Sequence, residues 1–119
     1  MEDYEVLKSS LIGIAGELYR FQSVFARMVS RFPMEEQNKY ISQYSWFSKR
    51  VVKALDGAGL RIIDLQGKEY DPGMAVIPIN LDEFGPDDRL FVEQMMEPVI
   101  MEGNKVIKTG TVFLGRIEP

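Results

Sequence analysis

The sequence predicts an α+β fold: an N-terminal antiparallel helical hairpin that joins a second copy in a dimeric four-helix bundle, followed by a small, mostly antiparallel β wing. Three observations predict it. Large apolar residues recur every three or four positions as far as Gly57 and Gly59. Beyond those glycines they alternate, or cluster in short runs rich in Val and Ile broken by Gly, Pro and Asp. The first periodic run is also longer than one chain of this size can cover. The boundary at the glycines assigns residues 1–59 to the hairpin and dimerisation region and 60–119 to the wing.

The first helix rests on Tyr4, Leu7, Leu11, Ile14, Leu18, Phe21, Phe25, Met28 and Phe32, spaced alternately three and four apart. That is a heptad seam held in register for about four heptads. Glu2, Asp3 and Glu5 stand at its start, where carboxylates complement the helix dipole. Pro33 ends it, since proline cannot continue the hydrogen-bond ladder. Roughly 29 residues at ~1.5 Å each make a rod of about 44 Å. A compact globule of this chain length is only about 30–35 Å across. Each buried seam residue contributes ~1.5–3 kcal/mol relative to exposure, and one short partner helix does not span the whole seam. A homodimer through Leu7, Leu11, Ile14, Leu18, Phe21, Phe25 and Met28 is therefore expected.

A second helix is expected from about Met34 to Leu55, with Ile41, Tyr44, Phe47, Val51 and Leu55 on its buried face. Lys49, Arg50 and Lys53 occupy its last turns, and Gly57 and Gly59 supply the stop. The short turn at Pro33 makes the helices antiparallel neighbours. Trp46 falls off the apolar face, among Lys39, Gln43, Lys49 and Arg50. It reads either as a binding anchor or, more simply, as a ring packed sideways under basic side-chain stems. Gly13 and Gly16 are placed opposite the first seam.

In the wing, Leu60–Leu65 and Met74–Ile79 read as short strands, the second demoted to an edge or a bulge by Pro78. Asp82 to Asp88 form an acidic loop. Leu90–Met101 and Lys105–Ile117 read as the two best strands, joined by a tight Gly103-Asn104 turn, with bulges expected at Pro98 and Gly110.

Chemistry is bounded mainly by what is missing. The sequence has no cysteine and no histidine, which removes thiolate catalysis, Cys-based zinc sites, the commonest general base and the commonest metal ligand. Asp82, Glu83, Asp87 and Asp88 lack EF-hand spacing. Gly57-Ala58-Gly59-Leu60 leads from helix to strand, the reverse of a phosphate cradle. Asp64, Glu69 and Asp71 could be imagined as an acid/base pair, but nothing in the sequence places them in a cleft. The chain is read as a non-enzyme with no catalytic residue, metal or cofactor. A net charge of −4 argues against nucleic acid. The acidic start and the lack of a ~20-residue apolar run argue against a leader and a membrane span. A cytoplasmic setting is expected.

Gly67-Lys68-Glu69-Tyr70-Asp71-Pro72, with Ala75-Val76 shortly after, resembles the GrpE family. So does the closing stretch: Met96, then Gly103-Asn104-Lys105-Val106-Ile107-Lys108, then Val112. GrpE proteins are the co-chaperones that exchange nucleotide on DnaK-type heat-shock chaperones. The resemblance runs from about Leu7 to Leu114, and is architectural in the helices. It implies a helix-paired dimer whose β wing binds the chaperone's nucleotide-binding domain and promotes nucleotide release. Met96 would make an apolar contact and Lys105 the basic contact at the hairpin tip, with Asn104 and Lys108 supporting that tip. Lys105 stands where the family usually has arginine. The alternative is a GrpE-like dimeric adaptor or scaffold that binds another partner without exchange activity.

Overall fold

The computed structural model describes residues 2–118. Met1 and Pro119, the outer ends of the two expected regions, lie outside the described residues. Helices α1 (Glu2–Val29) and α2 (Met34–Gly57) are followed by strands β1 (Leu60–Ile63), β2 (Val76–Pro78), β3 (Leu90–Glu97), β4 (Val99–Glu102), β5 (Lys105–Lys108) and β6 (Gly110–Arg116). A 3-10 turn, Leu81–Glu83, lies in the acidic loop. The class is α+β. The chain divides into two compact units, Met1–Arg61 and Ile62–Pro119.

In the helical unit, α1 stops at Val29, short of the expected end at Phe32. The chain tightens first: Arg31 N–H donates to Met28 O and Phe32 N–H to Val29 O, each three residues back. Gln37 of α2 then donates its side-chain amide to Phe32 O at 2.7 Å and Ser30 O at 3.3 Å, supplying donors to carbonyls just past the helix end. Phe32 therefore leaves the seam and packs edge-on against Tyr40, 5.4 Å between centroids. Farther along, Phe25 stacks on Tyr44 at 6.2 Å. Helix α2 runs two residues beyond Leu55, so its last turn holds no basic residue. Gly57 is inside it, and Gly59, at φ +78°, makes the left-handed stop.

The buried side chains of α1 are Ala15, Tyr19 and Val29, none of which belongs to the heptad seam. Leu11, Leu18 and Phe25 are half-buried. Leu7 is 70% exposed, Ile14 56%, Phe21 62% and Met28 49%. The two expected flank positions of α2 need correcting as well. Ile41 and Phe47 are exposed, whereas Tyr44 and Val51 are half-buried and Leu55 is buried. A helix advances 100° per residue, so Ile41 and Phe47 lie about 60° to either side of the Tyr44 line, outside the strip a single neighbour covers. Gly13 is not opposite the seam either: it lines one open hollow with Ser10, Ile14, Glu17, Leu18 and Phe21.

The strands form two three-stranded sheets, ordered β1-β4-β5 and β2-β6-β3. Two long expected strands have each been cut in two. Pro98 ends β3, and β4 continues in the other sheet. Thr109 separates β5 from β6 in the same way. The core sits where these switches occur: Leu90, Val92, Met95, Val99, Ile100, Val112 and Leu114 are buried, with Pro98 among the fully enclosed side chains. Gly110 is required there. A Cβ on it would come 2.7 Å from Met95 Cε and 2.9 Å from the Glu97 carbonyl oxygen. The bulges expected at Pro98 and Gly110 lie elsewhere, since register shifts leave Glu93 and Met96 of β3 without opposite residues on β6. The β2-β6-β3 sheet is mixed, because β2 runs parallel to β6 while β3 is antiparallel to it; β4 and β5 are antiparallel in the other sheet.

Pro78 occupies an edge strand, where its missing N–H does no harm and leaves one fewer donor for an added strand. Beyond it, Asn80 replaces the ladder. Its side chain accepts from Leu114 N–H at 2.9 Å and donates to Leu114 O at 3.0 Å. On the far side of the sheet the segment 67–70 runs along β3, with Gly67 N–H to Val92 O, Val92 N–H to Lys68 O and Tyr70 N–H to Leu90 O. The acidic loop is closed by Asp88, which accepts from Gly85 N–H at 2.8 Å and from Arg116 Nη2 at 3.2 Å.

Candidate functional site

Two surfaces stand out, one in each unit. In the β unit it is the β4–β5 hairpin. Met101 pairs with Val106 and Glu102 with Lys105, which leaves Gly103 and Asn104 as a two-residue loop. Gly103 has φ +60° and no other residue of the loop has positive φ, the pattern of a type II′ turn. A side chain at Gly103 would be strained, so the glycine fixes the direction in which the tip points. Asn104 and Lys105 are exposed, and among the described residues no ion pair or hydrogen bond holds the Lys105 ammonium.

The other two residues implied at this surface are placed differently. Lys108 of β5 is half-buried and pairs with Glu97 Oε2 at 3.6 Å. The other oxygen of Glu97 accepts the Thr111 hydroxyl at 2.8 Å. Lys108 thus has a structural partner, and Glu97, which sequence reasoning missed, ties β3 to β5 and β6. Met96 is half-buried at its bulge, beside the fully buried Met95. The bulge turns Met96 away from the core line that Val92 and Met95 follow.

In the helical unit the surface is the exposed half of the α1 seam: Leu7, Ile14, Phe21 and Met28. These are the residues at every seventh position, so they form one line that winds slowly round the helix, by about 20° per heptad. Leu11, Leu18 and Phe25, the other expected interface residues, lie beside that line and are partly covered. Next to it a groove of about 340 Å³ is walled by Phe21, Phe25, Tyr44, Trp46 and Phe47, with Gln22 and Gln43 at its rim. Aromatic rings dominate the walls, so the groove suits an apolar side chain more than a charged one. Trp46, 62% exposed, carries the Arg50 guanidinium over its ring at 4.6 Å.

Electrostatics add one titrating contact. Hydrogen bonding from the Gly85 amide, together with the Arg116 charge, holds the Asp88 carboxyl below its ordinary value of 3.8, and partial desolvation opposes the shift. A carboxylate lowered in the folded state contributes stability that is complete above its unfolded value and is lost as pH falls through the folded one. Thermal melts from pH about 5 downward should therefore show a shallower acid loss for Asp88→Asn than for the wild type, with the variant less stable at neutral pH. Equal slopes would mean the loop clamp does not couple to folding.

Among the described residues no group of three or more Asp, Glu, His or Cys is placed to hold a metal ion. No helix among them is long and apolar enough to cross a membrane. Compared with protein-family models, curated proteins and solved structures, the chain shows no match.

Proposed function

We propose that this chain is a GrpE-like co-chaperone. In this reading α1 and α2 form an antiparallel hairpin, two copies pair through the α1 seam, and the β wing binds the nucleotide-binding domain of a DnaK-type chaperone. The single observation that carries the functional part is the hairpin tip. A glycine-fixed turn presents Asn104 and an unpaired Lys105 on a small, firmly packed unit. The Phe25–Tyr44 and Phe32–Tyr40 contacts support the helical hairpin, and the exposed line of Leu7, Ile14, Phe21 and Met28 supports the pairing.

Exchange by such a device needs no catalytic group. The wing need only contact the open cleft of the chaperone better than the closed one, so that binding shifts the population toward the state that releases nucleotide. Release of labelled nucleotide from a DnaK-type chaperone should accelerate on adding this protein. Lys105→Ala should reduce that acceleration by about tenfold or more, the effect of removing a central charged anchor. Release at the same rate with and without the protein would overturn the exchange reading. A second reading, a dimeric adaptor without exchange, is favoured by one observation: the Lys108 charge is already matched by Glu97 inside the wing. Binding to the chaperone with no change in release rate would select it.

A further inference from the structure

We propose that the outward stripe of α2 is a second binding surface, one that takes an acidic segment of a partner protein bearing an apolar side chain. The stripe begins with charge distribution. Between Glu36 and Asp56 the helix has four basic residues and no acidic one. Lys39, Trp46 and Lys53 are spaced seven apart, with Arg50 between the last two, so all four share one helical face. Its three cations lie about 120–200° around the helix from Tyr44 and Leu55, while Trp46 at its centre also borders the aromatic groove that Tyr44 lines. Lys39, Trp46, Lys49, Arg50 and Lys53 are all exposed.

None of the four cations makes an ion pair among the described residues. Two are instead placed over rings: Lys39 Nζ lies 5.9 Å from the Tyr40 centroid and Arg50 lies over Trp46. The ring-bound Arg50 keeps its outward N–H groups for an acceptor, and Trp46 supplies apolar area at the centre of the stripe. From Lys39 to Lys53 the face is about 21 Å long, the reach of about seven extended residues.

Charge complementarity selects the partner class. The helical unit has nine Lys and Arg against seven Asp and Glu, and the β unit five against eleven. A chain with so acidic a second unit is repelled by a long polyanion, which disfavours nucleic acid. A membrane-bound helix needs a broad apolar face beneath its basic one, whereas on this stripe Trp46 is the one apolar side chain between the cations and the other rings lie to its side, in the groove. A short acidic peptide needs neither. The surface stands independently of the β-wing reading.

Trp46 is the only tryptophan in the sequence, so its emission reports on the site directly. The full chain is titrated with a synthetic peptide of alternating Glu and Leu, about seven residues long. A Lys/Leu peptide, phosphatidylserine vesicles and a single-stranded oligothymidine serve as comparisons. The expected result is a saturable change in Trp46 emission with the acidic peptide alone. It should be weakened by salt and by about tenfold in a Lys39→Glu/Lys53→Glu double variant. Both substituted residues are exposed and neither touches the ring of Trp46, and the helical signal of the variant should match the wild type. Any of four results overturns the proposal: no saturable response to the acidic peptide, an equal response to the basic one, a response to vesicles or oligothymidine instead, or unchanged affinity in the double variant.

Discussion

Phe21→Glu should separate the two copies of the proposed dimer without unfolding the chain. Within one chain Phe21 is 62% exposed and its one ring contact is with Phe25, 6.3 Å away on the same helix. Losing it therefore costs the single subunit little. Phe21 lies on the exposed line and on the wall of the aromatic groove, so in the proposed pair a glutamate there would remove two buried rings and add two charges. At ~1.5–3 kcal/mol per buried ring, the dimer dissociation constant should rise by at least about 100-fold. Sedimentation measures the dimer and far-ultraviolet circular dichroism checks the fold. A variant that stays paired would remove Phe21 from the interface, and one that loses helix would show that the residue supports the subunit itself.

Gly110→Ala should be a strongly damaging small substitution in the β unit. The added carbon would meet Met95 Cε at 2.7 Å, Glu97 O at 2.9 Å and Val99 Cγ2 at 3.2 Å. Methionine can move, but a backbone carbonyl at the start of a strand switch has nowhere to go. Overpacking of this kind costs about 2–3 kcal/mol, or roughly 10 °C or more in melting temperature. Thr109→Ala, one residue away and exposed, serves as the control and should change stability by no more than about 0.5 kcal/mol. If the two variants melt together, the close approach at the switch is not what holds the sheets.

Much of this architecture is readable from local chemistry. The heptad spacing, the proline after α1 and the Gly-Asn turn each act over a few residues, so helix, break and hairpin could be placed from the sequence. The edge position of Pro78 follows from its missing donor. What could not be read is which partner each element chooses. Continuous apolar runs from Leu90 and from Lys105 give no sign that each will divide between two sheets, because the division depends on what packs above Gly110 and Pro98. The parallel pairing of β2 with β6 is equally non-local. Ladder substitutes such as Asn80, and the Gln37 amide at the end of α1, look like ordinary polar residues until the backbone groups they serve are known.

The surfaces follow the same division. The position of Asn104 and Lys105 at the turn is readable from the sequence because the Gly-Asn loop alone determines it. Lys108, which the resemblance implies for that surface, instead contacts Glu97, and the sequence carries no signal for a pair joining β3 to β5. The seam on α1 was legible as a periodic line, but not the fact that the chain buries Ala15, Tyr19 and Val29 in preference to it. That preference is physical. A single neighbour covers only a narrow strip of a helix, and here that strip does not include the whole seam.

The central claim is that the line of Leu7, Ile14, Phe21 and Met28 is covered by a second copy. Sedimentation equilibrium of the full chain across a dilution series tests it most directly. A mass of twice the single chain, falling toward one only at high dilution, is the result this account predicts. A single-chain mass at every concentration would contradict it.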